Sequence, residues 1–164
     1  MRIEFVAPLV ATALAACAPR VPVETTSAGT VGAGIGEPMA ANVVPLGTRW
    51  TASLTPGGGS GVSGTAVARV AGIDQLDVDI SIAGSTAGRI HPWHVHRGTC
   101  DADQGVVGPP TAYPTLAAGS DGRGRLLTTV PVTFERGQPY VVDVHRSPTE
   151  MAVIVACGLL EPQS

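Results

Sequence analysis

Four histidines carry most of the chemistry this sequence can offer. Three fall within His91-Pro92-Trp93-His94-Val95-His96, and the fourth, His145, closes the run Val141-Val142-Asp143-Val144-His145. On a β-strand, residues i and i+2 point to the same face. His94 and His96 therefore present two imidazoles side by side, while Trp93 and Val95 turn the other way, into a core. In the second run Val142 and Val144 face inward, and Asp143 and His145 share the outer face. Three imidazoles from two strands make a nitrogen site of the kind that suits copper or zinc. Three protein ligands leave one position open, the mark of a reactive rather than a closed structural site. A lone strand histidine is more often a hydrogen-bonded structural residue, but two adjacent imidazoles gain little without a metal. His91 has the opposite parity to His94 and is expected to be structural, hydrogen-bonded near the strand. Asp143 could support the site or be a surface charge, and Tyr113 is a further candidate neighbour.

These side chains need strands to hold them. Residues 49–54 read as a strand and Gly57-Gly58-Gly59-Ser60-Gly61 as a turn. Residues 62–70 alternate. Gln75 to Ile82 alternates strictly, with Leu76, Val78, Ile80 and Ile82 on one face and Asp77, Asp79 and Ser81 on the other. That is the pattern of a half-buried antiparallel strand. Residues 87–96 form the next expected strand. Residues 97–113 are expected to be irregular, because Gly108-Pro109-Pro110 interrupts any regular strand. Asp121-Gly122 is a hairpin signal, and 123–132, 140–145 and 151–160 complete the set. About eight short strands with frequent turns predict an all-β sandwich or barrel. No internal repeat and no helical pattern stand out.

The composition agrees with this. Hydrophobic residues make up 44% and charged residues 14%, with 21 Gly and 14 Pro, apolar enough for a packed core and rich in turn formers. A net charge of −3 offers no basic field, so nucleic acid is not an expected partner.

The N-terminus reads as an address. Arg2 precedes an apolar run, residues 5–16, too short for a bilayer span and suited to a secretory signal. It ends in Leu14-Ala15-Ala16-Cys17, which resembles the bacterial lipobox, so residues 1–17 are expected to be a lipoprotein signal ending at a lipidated Cys17. The alternative is an ordinary signal peptide that contains a cysteine. Residues 18–47, rich in small residues and proline, are expected to be a flexible tether with a reach of roughly 30 Å, with a short strand near 41–45 as an option inside it. The domain proper is expected at 48–164. These readings imply a cell-envelope protein on a membrane through its lipid, facing the periplasm or the outside. With Cys17 set aside, Cys100 and Cys157 remain as two that can pair.

The histidine motifs together resemble the copper-zinc superoxide dismutase family. His91-Pro92-Trp93-His94-Val95-His96, followed by Gly98 and Cys100, is similar to the family's first copper-ligand strand and half-disulfide. Residues 141–145 resemble the strand of the last copper ligand. Ala156-Cys157-Gly158-Leu159-Leu160 resembles the closing strand. The resemblance covers about 48–160. It implies a Greek-key barrel of about eight antiparallel strands, one copper ion on His94, His96 and His145, and a Cys100–Cys157 disulfide, a bridge at home in an oxidising compartment and worth roughly 3–4 kcal/mol on a chain-entropy account.

The departures weigh as much. Between Cys100 and Arg123 there is no histidine, so the family's bridging histidine and its zinc set are missing. Asp101 and Asp103 alone do not rebuild them, and zinc is not expected. The family's active-site arginine corresponds to Ile154. Arg146, beside His145, is the candidate catalytic cation, with Arg97, beside His96, second, but strand parity turns each away from its histidine. Loss of a preorganised cation commonly costs about 10²-fold in rate, so any dismutase activity is expected to be weak. Three readings follow: a copper-only superoxide dismutase; a copper buffer or carrier, or a haem or other metal protein, without that activity; and an accessory subunit of a membrane assembly that reuses the barrel. A homodimer or a membrane-complex partner stays open.

Overall fold

The computed structural model describes residues 42–164. The signal segment, Cys17 and residues 18–41 of the expected tether lie outside the described residues. The chain is all-β. Its strands are β1 (Arg49–Pro56), β2 (Ser63–Gly72), β3 (Gln75–Ala83), β4 (Ile90–His91), β5 (Trp93–Thr99), β6 (Ala102–Val106), β7 (Leu116–Ala117), β8 (Gly124–Val130), β9 (Tyr140–His145), β10 (Ile154–Leu159) and β11 (Glu161–Pro162).

Strict alternation builds one half. β1, β2 and β3 pair in sequence, and β8 adds to the free side of β3. Leu76, Val78, Ile80 and Ile82 are buried as the pattern requires. On the wet face of β3, Asp77 and Asp79 hold Arg69 and Arg125 across the strands, each at 2.6 Å.

The other half runs β6-β5-β9-β10, and it joins the first through β1, giving the antiparallel order β6-β5-β9-β10-β1-β2-β3-β8. The joint is short. The end of β1 pairs with β10 at Thr55 and Cys157, while its start pairs with β11 at Trp50 and Pro162. The neighbours β5 and β9, β10 and β1, and β3 and β8 are non-sequential, so the chain crosses repeatedly between the halves, as the expected barrel or sandwich demands. Between them Trp93, Val95, Val142 and Val144 are fully buried, Phe134 stacks on Tyr140 at 4.0 Å, and Trp50 meets Phe134 edge-on.

Four departures from the sequence expectation bear on the site. First, the strand expected at 87–96 is broken at Pro92, which has no N–H to offer a ladder. β4 pairs with β7, whereas β5 pairs with β9. Second, residues 97–113 are not all irregular: β5 runs on to Thr99 and turns into β6. Its sequence, Ala102-Asp103-Gln104-Gly105-Val106, lacks an apolar alternation because it is an exposed edge. Gly98 allows the turn, with φ +108°, in a place where a Cβ would lie 2.2 Å from the Ala102 carbonyl oxygen. Third, residues 151–153 form a turn before β10. Fourth, residues 42–47, placed in the tether from sequence, pack on the domain: Val43 bridges Glu135 and Val44 is buried.

Cys100 and Cys157 form a disulfide with Cα atoms 5.9 Å apart, tying the β5–β6 turn to β10. Among the described residues no helix is long and apolar enough to cross a membrane.

Candidate metal centre

β5 and β9 lie side by side with His94 opposite Asp143 and His96 opposite Val141. The break at Pro92 lets its carbonyl accept the His145 N–H at 2.8 Å. His145 therefore reaches back toward the β5 histidines. His94 Nδ1 lies 3.1 Å from His145 Nε2. His94, His96 and His145 offer ligand atoms all within 4.8 Å of one another, and the three could hold a metal ion. Metal–imidazole bonds near 2.0–2.1 Å bring two nitrogens on one ion to roughly 3 Å, so the His94–His145 pair already has nearly that spacing.

The three histidine residues are only 5–7% exposed. Burial, then the neighbouring His145 and His96, pushes His94 down to about 4, with the Pro110 carbonyl partly offsetting it. Burial lowers His145 too, and the Met151 carbonyl opposes part of that shift. Both rings are thus neutral at physiological pH, the state in which imidazole binds metal.

Groups behind the trio set its orientation. His96 Nδ1 donates to Asp103 Oδ1 at 2.8 Å, which leaves the lone pair on His96 Nε2. That buried nitrogen has no hydrogen-bond partner among the described residues, and neither does His145 Nδ1. Asp103 also accepts the Gly105 N–H at 2.6 Å. Burial alone would raise the Asp103 carboxyl, but the Gly105 N–H and His96 outweigh it and hold it below the usual range. Tyr113, reached from the turn at Pro110–Ala112, meets the His94 ring edge-on at 5.1 Å and anchors its hydroxyl on the Val107 carbonyl at 2.6 Å. Burial pushes that hydroxyl's pKa well above the ordinary value.

His91 stands behind the trio and outside it. It is 1% exposed. Its Nδ1 donates to the His145 carbonyl at 2.8 Å, so its Nε2, 2.7 Å from Ser85 Oγ, accepts the serine proton.

Asp143 is the anomaly. It shares a face with His145, as strand parity requires, yet that face is covered and Asp143 is 1% exposed, not a surface charge. It lies between His94 on β5 and Cys157 on β10. Neither carboxyl oxygen has a hydrogen-bond partner among the described residues. Burial raises it to about 6, with His96 opposing and Asp103 adding to the rise.

The candidate cations are already engaged. Arg97 pairs with Glu135 at 2.9 Å and Arg146 with Glu150 at 3.1 Å. Ile154 pairs with His145 across the β9–β10 ladder.

No protein-family model matches this chain, and no curated protein does. The site must be judged on its own geometry. The sequence alone points to the trio and to His91, and to Asp103 only beside a missing zinc set, because the exposed edge strand β6 that brings Asp103 to His96 carries no apolar pattern. The usable signal was Gly98 and Gly105 bracketing Asp103, a pair of bends that can fold a short strand back onto β5.

Proposed function

We propose that this domain binds one copper ion with His94, His96 and His145 and acts as a superoxide dismutase of the copper-only kind. The convergence of three buried imidazoles, two with nitrogens 3.1 Å apart, carries this reading. An all-nitrogen set favours late first-row ions, and among the divalent ones copper binds most tightly. The resemblance to the copper-zinc superoxide dismutase motifs adds to that choice, and the lack of histidine around Asp101 and Asp103 argues against a companion zinc.

Copper would supply one-electron chemistry, alternating between its two oxidation states while two superoxide ions and two protons become oxygen and hydrogen peroxide. The chain's own contribution is positional. Asp103 holds the His96 tautomer, His91 holds the main chain of His145, and Tyr113 shields one side of His94. The lipobox-like Cys17 motif and the disulfide support a lipid-anchored protein in the bacterial cell envelope.

One observation favours a second reading, a copper buffer or carrier. Arg97 and Arg146, the two arginines next to the metal histidines in sequence, are both paired with glutamates, so neither is an unpaired guide for superoxide. Copper and zinc content of the purified protein, measured with its dismutase rate, decides between them. Copper at one equivalent with a rate abolished by His94→Ala supports the enzyme. Copper at one equivalent with no rate above buffer supports the carrier. Absence of any bound metal after reconstitution rejects both.

A further inference from the structure

Away from the trio, the arginines differ in what they face. Arg69, Arg97, Arg123, Arg125 and Arg146 each meet a carboxylate. Arg89, between β3 and β4, has no acidic partner among the described residues. It lines a polar cavity of about 220 Å³ with Arg146, the turn at Gly58 and Gly59, Ser85 and the buried His91. No carboxylate lines this cavity, and Glu150 engages Arg146 at Nη1, 3.1 Å away. Arg89 therefore brings a positive charge without an acidic partner to this cavity, in a chain whose net charge is −3.

The backbone adds donors. Gly58 and Gly59 have φ of +54° and +70°, a left-handed pair that glycine adopts without strain. Ser60 N–H closes the turn on the Gly57 carbonyl at 3.0 Å, and the Gly58 and Gly59 amides have no backbone acceptor. Turn amides of this kind form anion-binding concavities. A guanidinium offers a planar fork that matches an oxyanion edge.

We propose that this cavity binds a small free oxyanion of the phosphate or sulfate class, with Arg89 as its principal donor and the Gly58–Gly59 turn and Arg146 as supports. The site is separate from the metal trio and does not depend on the copper reading. It touches the trio through His91, which holds the His145 carbonyl on its other nitrogen.

Inorganic phosphate titrated into the full chain at neutral pH and low ionic strength tests this, followed by calorimetry and by amide resonances. Saturable binding with shifts at Gly58, Gly59 and Ser85 is expected. A charge-assisted bond is worth enough that Arg89→Gln should weaken binding about tenfold or more. Arg125→Gln, whose guanidinium already holds Asp79, should leave it unchanged, and so should His94→Ala. Arg146→Gln serves as a second variant should Arg89→Gln fail to fold, with a smaller loss expected. Absence of saturable shifts at those amides, an unchanged affinity in a folded Arg89→Gln, or attachment only to anionic phospholipid vesicles with none to free phosphate would overturn the proposal.

Discussion

His96 and Asp103 face each other across the β5–β6 turn, with imidazole Nδ1 donating to the carboxylate at 2.8 Å. The histidine is nearly buried and the aspartate's side chain is 40% exposed, so one member of the pair can be changed at little cost to the core. The pair therefore separates metal affinity from folding stability better than any of the three histidines does.

Asp103→Asn should lower copper affinity by about 10- to 100-fold, the usual effect of removing a carboxylate behind a ligating histidine. Unfolding stability should move by less than about 1 kcal/mol, since the hydrogen bond is partly solvated on the aspartate side. Competition against a chelator and urea denaturation of the metal-free protein check the two halves. Equal affinity for wild type and variant would mean Asp103 does not orient His96.

Acid should act on the metal-free protein in two opposed ways. His94, at about 4, and His145 titrate below their unfolded value of 6.5. Below pH 6.5 the unfolded chain binds more protons at both positions, down to about 4 in the case of His94, so these rings lose stability as pH falls. Asp143, raised from 3.8 to about 6, does the reverse. It destabilises above pH 6 and is relieved on protonation. Asp143→Asn should thus be more stable than wild type at pH 8, by on the order of 1 kcal/mol, and should lose stability more steeply on acidification. Urea midpoints between pH 4.5 and 8 read both trends, and parallel curves for the two proteins would contradict the assignment.

His91→Ala should cost about 2–4 kcal/mol, because it opens space in a packed region and leaves the His145 carbonyl without its donor. Copper affinity should fall as well, although His91 is not a ligand. A variant that loses stability but binds copper as tightly as wild type would show that the His145 main chain holds its place unaided.

Replacing both Cys100 and Cys157 with serine should cost roughly 3–4 kcal/mol, since the bond closes a separation of 57 residues. Denaturant unfolding of oxidised and variant protein measures it.

Much of this architecture was legible because period-2 patterns are explicit. β9 could be drawn to the residue from Tyr140 to His145, and β3 to within one residue from the alternation of Gln75 to Ile82. The parity of His94 and His96 followed from the same rule. What stayed hidden depends on contacts between distant segments. β6 has no apolar alternation, as an exposed edge strand needs none, so the Asp103 contact with His96 could not be foreseen. The full burial of Asp143 was hidden likewise. Parity gives a face, while the Cys100–Cys157 link, with its sulfurs within 4.8 Å of the Asp143 carboxyl, arrives from elsewhere in the chain. Pro92 could have been read as a strand break, but the value of its free carbonyl to His145 emerges only once β9 is its neighbour.

The disulfide binds the turn that carries Asp103 to the strand beside Asp143. In surroundings that keep thiols reduced, those two borders of the histidine pocket lose their covalent link and keep the ladders through β6, β5, β9 and β10. The timing of sulfur oxidation would then set when a newly made chain first closes this histidine pocket covalently.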